Sequence, residues 1–300
     1  MRHGIAILPE YRWNDARPLW ERAEALGFDH AWTYDHVVWG GLPESEWFGA
    51  IPTLTAAATV TSRIALGIFV ASPNFRHPAP FARELQTVAD VSDDRLLVGL
   101  GAGGDPDSTI QGGEALSAKH RVDRLQEFTE LLDRVLSTDH VTSEGRWFST
   151  TDMRLRGTPI RPRNPLLLAG NGPRSVDYAA RTGDGWITTG PRADDLDAWF
   201  DAVAVSSAKL DESLGRAGRA RADFPTFLSL DSSPVASLSS LTLYGDMTGR
   251  AAELGFSDVI CHWPRDTDPY RASVGVLEDV AEQFLRPRSM DSSDTTRPVG

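Results

Sequence analysis

An aspartate and a histidine stand side by side at Asp35 and His36, directly after a short apolar run at 31–34. An imidazole titrates near neutral pH and can give or take a proton, whereas a carboxylate accepts hydrogen bonds. Neighbouring side chains on a strand point to opposite faces, so both reach one site only beyond the strand's end. A loop histidine held by its acidic neighbour is the competing reading of the pair. Two glycine-rich stretches suit a ligand of another kind. In the first, Gly170, Asn171, Gly172, Pro173 and Arg174 follow an apolar run. Asn171 is a good helix N-cap, and Pro173 suits the first helical turn, where its missing N–H would lack a partner anyway. Gly172 admits a ligand to the backbone, and the free N–H groups of a helix start suit an anion such as a cofactor phosphate. The same five residues also suit an ordinary capped helix.

The second stretch, GLGAGG at 99–104, fails as a dinucleotide fingerprint. No helix with a third glycine and a later ribose-binding acid follows at the required spacing. Gly101 and Gly103 instead permit close backbone approach, or simply a tight turn. Glu10 follows the first apolar run, where a solitary glutamate is commonly a surface residue. His262 and Trp263 close the last run and are candidates to line a substrate pocket, although Trp263 equally suits a barrel cap. His77 precedes Pro78 and reads as structural. No spacing among the histidines, the single cysteine and the acids makes a metal site, and no G-x-S-x-G nucleophile motif occurs.

The elements that must position these residues alternate regularly. Apolar runs predict strands at 3–8, 31–34, 64–70, 95–100, 166–169, 185–189, 224–230 and 258–262. Amphipathic stretches predict helices at 16–26, 51–61, 80–91, 173–182, 193–214, 244–254 and 270–285. Gly27 is a helix stop. The stretch 104–164 is about twice the length of the other connections and predicts an insertion after strand four, with a charged helix near 120–136 and a hairpin within 144–163. Eight βα units predict a closed (β/α)8 TIM barrel rather than an open doubly wound sheet. Residues 1–286 form the single domain and 287–300 a disordered polar tail. Sites in such barrels lie at the C-terminal strand ends, which selects Glu10, Asp35 and His36, 71–74, 101–105, 170–174, 188–190, Asp231 and 262–265.

Composition narrows the function classes. Apolar residues make up 41% and charged residues 24%, an ordinary globular mix, and the net charge of −12 disfavours nucleic acid and anionic membrane partners. Cys261 has no second cysteine to pair with. There is no apolar run of roughly 18 residues, and residues 1–13 lack a secretory layout. A cytoplasmic enzyme acting on a small molecule is the expectation.

Four segments, WTYDH at 32–36, LGIFVASPNFRHP at 66–78, RLLVGLGAG at 95–103 and AGNGPRSVDYAARTGDGW at 169–186, together resemble the luciferase-like monooxygenase and coenzyme F420-dependent reductase superfamily. The resemblance spans roughly residues 3–285. It implies a barrel with an insertion after strand four. At Phe69, Val70 and Ala71 it implies a bulge behind the cofactor ring, with a cis Phe69–Val70 bond. It implies cofactor contacts at Asp35 and Gly101–Gly103, and a phosphate site at Gly170, Asn171, Gly172, Pro173 and Arg174. It gives His36 a proton-handling role and Glu10 a catalytic one. Trp39 joins the substrate pocket but departs from the sugar-phosphate-oxidising relatives, whose tryptophan stands one residue further from the histidine. The implied function is hydride transfer between F420 and a small organic substrate. An FMN-dependent monooxygenase fed by a separate reductase, and a non-catalytic flavin-binding barrel, are the alternatives. Relatives of this kind are commonly homodimers.

Overall fold

The computed structural model describes residues 1–155 and 163–285. The expected tail at 287–300 and part of the expected hairpin lie outside them. Eight parallel strands close into a barrel: β1 (Arg2–Ala6), β2 (His30–Thr33), β3 (Ala65–Ala71), β4 (Leu96–Leu100), β7 (Leu166–Ala169), β8 (Gly185–Thr188), β9 (Thr226–Ser229) and β10 (Asp258–His262). The ring order is β1-β10-β9-β8-β7-β4-β3-β2, which is chain order once β5 (Val141–Ser143) and β6 (Thr150–Met153) are set aside. Those two pair antiparallel and form the hairpin, starting before the predicted 144–163.

Continuous apolar runs produce these strands because both faces are covered. Ala6, Trp32, Leu167, Ile187, Phe227 and Ile260 form one buried cluster. A cluster drawing one residue from each of six strands can lie only inside the ring. Trp32 is its largest member, and Gly67 makes room for it: a Cβ at Gly67 would sit 2.0 Å from Trp32 Cε3. Alternate residues such as Ile5, Ala31, Leu66 and Cys261 face outward and pack under the helices.

The helices are α1 (Trp13–Leu26), α2 (Ala50–Val60), α3 (Pro78–Val91), α4 (Asp105–Ile110), α5 (Ala118–Ser137), α6 (Pro173–Thr182), α7 (Leu196–Arg216), α8 (Leu241–Glu253) and α9 (Val274–Val280), followed by a π turn (Ala281–Leu285). Gly27 ends α1 at φ 97°, as a glycine stop should. His77 caps α3 by accepting the Ala79 N–H, consistent with a structural role. The last helix begins later than 270 because Ser273 caps it through the Gly275 N–H. α4 was not predicted, and it carries a residue on which the site depends. Among the described residues no helix is long and apolar enough to cross a membrane.

Candidate active site

A cavity of about 520 Å³ opens at the C-terminal ends of β2, β3, β4, β7 and β8. Asp35, His36, Trp39, Phe69, Val70, Gly101, Gly103, Gly170 and Asn171 all line it, so five of the eight sequence-selected strand ends converge on one space.

His36 is held from a distance. Its Nδ1 lies 2.9 Å from Oδ2 of Asp107 in α4, and Asp107 Oδ1 accepts the Val37 N–H at 2.9 Å. Burial raises the Asp107 pKa, but the His36 contact and the backbone donors Val37 and Val38 outweigh it and bring the net shift below the usual range. The carboxylate is therefore ionised and can only accept, so Nδ1 of His36 carries a proton and, in the neutral ring, Nε2 is the acceptor. That polarity is what a proton-taking group beside a reacting hydroxyl needs.

Asp35 has a different partner. Arg76 Nη2 donates to Oδ1 at 2.9 Å and stands 2.7 Å from Oδ2. Burial pushes the Asp35 pKa up, against the opposing pull of Arg76. The Arg76 guanidinium is stacked on the Phe75 and Phe81 rings, 4.5 and 4.4 Å from their centroids. Asp35 thus reaches the cavity wall as half of a buried ion pair.

β3 carries the expected bulge. Its register against β4 shifts between Ile68 and Ala71, and the Phe69–Val70 peptide is cis. Val70 thereby faces the β4 loop, where a Cβ on Gly101 would meet Val70 Cγ2 at 2.6 Å. Gly103 has φ +67°, and a Cβ there would lie 2.3 Å from Asn74 Nδ2. Both positions require glycine.

The α6 turn differs from the sequence reading in one respect. The N-cap is Gly172, without a side-chain cap, and not Asn171. Asn171 is drawn away by β8: its Oδ1 accepts from Thr188 Oγ1 at 2.8 Å, and its Nδ2 donates to Thr189 Oγ1 at 2.8 Å and to the Gly190 carbonyl at 2.9 Å. The first-turn N–H groups are consequently left without a side-chain cap, as an anion site requires. Gly170 brings that turn close, since a Cβ on it would lie 2.2 Å from Ser175 Cβ, and Ser175 lines the cavity. Space around Gly172 is open, with nothing within 4 Å of a Cβ placed there. Pro173 starts the helix and Arg174 pairs with Asp123 outside the lining.

Ala71, Gly172, Pro173 and Arg174 are absent from the lining, and Glu10, His262 and Trp263 are placed elsewhere. Glu10 does not line the cavity; it pairs with Arg265 through Nε at 2.7 Å and Nη2 at 3.0 Å. Arg265 also donates to the Thr267 and Pro269 carbonyls, so Glu10 anchors the loop after β10. His262 is buried behind Tyr34, a lining residue, and does not itself line the cavity. Its Nε2 meets the Tyr34 hydroxyl at 2.8 Å, its Nδ1 meets Asp231 at 3.1 Å, and Tyr270 stacks on it at 3.6 Å. Trp263 lies on the opposite strand face, buried in the outer core. Sequence reasoning missed Asp107, Ser175 and Tyr34 as cavity or dyad residues. Only Asp107 had a local signal, the D-P-D-S-T run that favours a helix start.

The model of the luciferase-like monooxygenase family matches residues 1–233. An F420-dependent glucose-6-phosphate dehydrogenase of Intrasporangium calvum is 33% identical over 76% of this chain and 69% of its own length. An F420-dependent hydroxymycolic acid dehydrogenase of Mycobacterium tuberculosis is 32% identical over 65% of this chain and 55% of its own. The solved structure of an F420-dependent secondary alcohol dehydrogenase with an F420–acetone adduct superposes with TM-score 0.78 at 18% identity, covering 93% of this chain and 97% of that one. At that identity the superposition speaks for the barrel.

Proposed function

We propose that this chain, which belongs to the luciferase-like monooxygenase family, is an oxidoreductase that moves a hydride between coenzyme F420 and a small organic substrate. The observation that carries the reading is the His36–Asp107 dyad at the rim of a cavity whose far wall is built for a phosphorylated cofactor. The residues fit the group: side chains at Gly101 and Gly103 would collide with their surroundings, and the uncapped α6 start offers N–H groups to a phosphate. Gly101, Gly103, Gly170, Asn171 and Ser175 would hold the cofactor, with Phe69 and Val70 behind its ring. When bound, F420 supplies the hydride-accepting and hydride-donating chemistry.

The chain's own part is proton handling and exclusion of water. His36 Nε2 takes the hydroxyl proton as an alcohol is oxidised and returns it to a carbonyl oxygen in the reverse direction. Asp107 holds the ring in that tautomer. Trp39 and Tyr34 wall the cavity with aromatic surface and keep it dry. The cycle requires a second reaction that restores the cofactor's oxidation state, and a homodimer belongs to the same reading. Titration with purified F420 and with FMN tests the proposal through cofactor fluorescence. Saturable binding of F420 in preference to FMN is expected. FMN binding more tightly would overturn it, because FMN keeps the ring nitrogen that supports oxygen chemistry and F420 does not.

A further inference from the structure

Resting on that reading, we infer that the substrate is an uncharged, apolar or aromatic alcohol or ketone, and not a phosphorylated sugar. In ring order the cavity runs from β2 through β3 and β4 to β7 and β8, so its lining has two separated sides. The β7–β8 side carries the anion-suited features: the uncapped start of α6, Ser175, Asn171 and Thr189. Arg174 pairs with Asp123 near that side, whereas Arg124 bonds Asn74 in the loop after β3. A cofactor phosphate takes this side.

The β2 side is aromatic and acidic. Trp39 meets Tyr34 edge-on at 5.2 Å, lies parallel to Tyr270 at 6.0 Å, and has Trp47 behind it at 5.8 Å. This is a supported flat apolar wall rather than a solitary ring. The ionisable groups here are Asp35 and His36, with Asp107 behind the histidine. Among the described residues lining the cavity there is neither lysine nor arginine. Of the arginines nearby, Arg265 pairs with Glu10 through both carboxylate oxygens, and Arg76 pairs with Asp35 through Nη2 while its buried Nε and Nη1 have no hydrogen-bond partner; neither arginine lines the cavity. A phosphate dianion needs several cationic donors to replace its hydration, and here the lining offers no lysine or arginine and presents the Asp35 carboxyl group instead. An apolar group meets the tryptophan wall without that cost.

The reaction balances with the substrate assigned in this way. F420, when bound, would accept the carbinol hydrogen as hydride with the C–H electron pair, while the O–H proton would pass to His36 Nε2, leaving a ketone.

Ligand-observed NMR titration of the F420-loaded protein tests the inference, with acetophenone and glucose 6-phosphate as the probes. Acetophenone should bind at least ~10-fold more tightly, Trp39→Ala should weaken it by ~10-fold, and Trp39→Phe should restore most of it. Tighter binding of glucose 6-phosphate would overturn the inference, as would acetophenone affinity unchanged in Trp39→Ala. The same samples are titrated with F420 in parallel. Failure to bind F420 overturns the function, while the Trp39 comparison is still read on the cofactor-free protein.

Discussion

Asp107→Asn isolates the tautomer argument from simple loss of a side chain. The substitution preserves shape in a buried position, and the amide oxygen can still accept the Val37 N–H, a bond of 2.9 Å in the native protein. The amide nitrogen then faces His36 Nδ1, where the native carboxylate accepts at 2.9 Å. An N–H donor there favours the imidazole with its proton on Nε2, the nitrogen that must take the substrate's proton. General base catalysis is typically worth ~10²–10⁴ in rate, so enforcing the wrong tautomer should lower kcat by ~10² or more, about 2.7 kcal/mol. F420 affinity should change by less than ~3-fold, because neither atom belongs to the phosphate side. The assay is steady-state kcat at saturating substrate, cofactor Kd by fluorescence, and a cycle with His36→Ala. If Asp107 acts through the histidine, the double variant is no slower than His36→Ala alone. Losses that multiply, or wild-type kcat in Asp107→Asn, would refute the reasoning.

Two further outcomes follow from the same structure. Gly101→Val should weaken F420 binding by ~10-fold or more in titration, because its side chain enters the space already bounded by Val70 Cγ2 at 2.6 Å; unchanged affinity would remove Gly101 from the cofactor site. Glu24 takes the Ser62, Arg63 and Ile64 N–H groups on its carboxylate, and although partial burial opposes them, these bonds lower its pKa to about 2. A depressed carboxyl stabilises the fold fully above the unfolded value of 4.5 and loses that contribution as pH falls toward about 2. Glu24→Gln should cost roughly 1–2 kcal/mol at pH 7 after solvent screening, with the cost shrinking as pH falls from 4.5 through about 2, measured by urea unfolding across that window.

Eight buried strands were legible because each is a continuous apolar run, and the insertion was legible as excess length. α4 was not, since a helix of six residues is too short to show a period on which it could be recognised. The same property hid Asp107. Its partner His36 is 71 residues away, and local sequence carries no trace of such a contact. Glu10 failed for the converse reason: its place at a strand end was visible, while Arg265, 255 residues on, was not.

The places of His262 and Trp263 follow in part from strand alternation. Strand alternation puts Ile260 and His262 on one face and Cys261 and Trp263 on the other. Ile260 belongs to the interior cluster and Cys261 to the outer core, so the histidine had to point inward and the tryptophan outward. Asn171 shows where alternation and capping preference stop helping. Its amide suits an N-cap, yet Thr188 at the end of the neighbouring strand and Thr189 and Gly190 just beyond it offer three hydrogen bonds in place of one. That competition is tertiary, and its result matters chemically. A helix start capped by its own asparagine has one N–H fewer for a ligand, whereas one whose asparagine is bonded to β8 keeps its first turn open to the cavity.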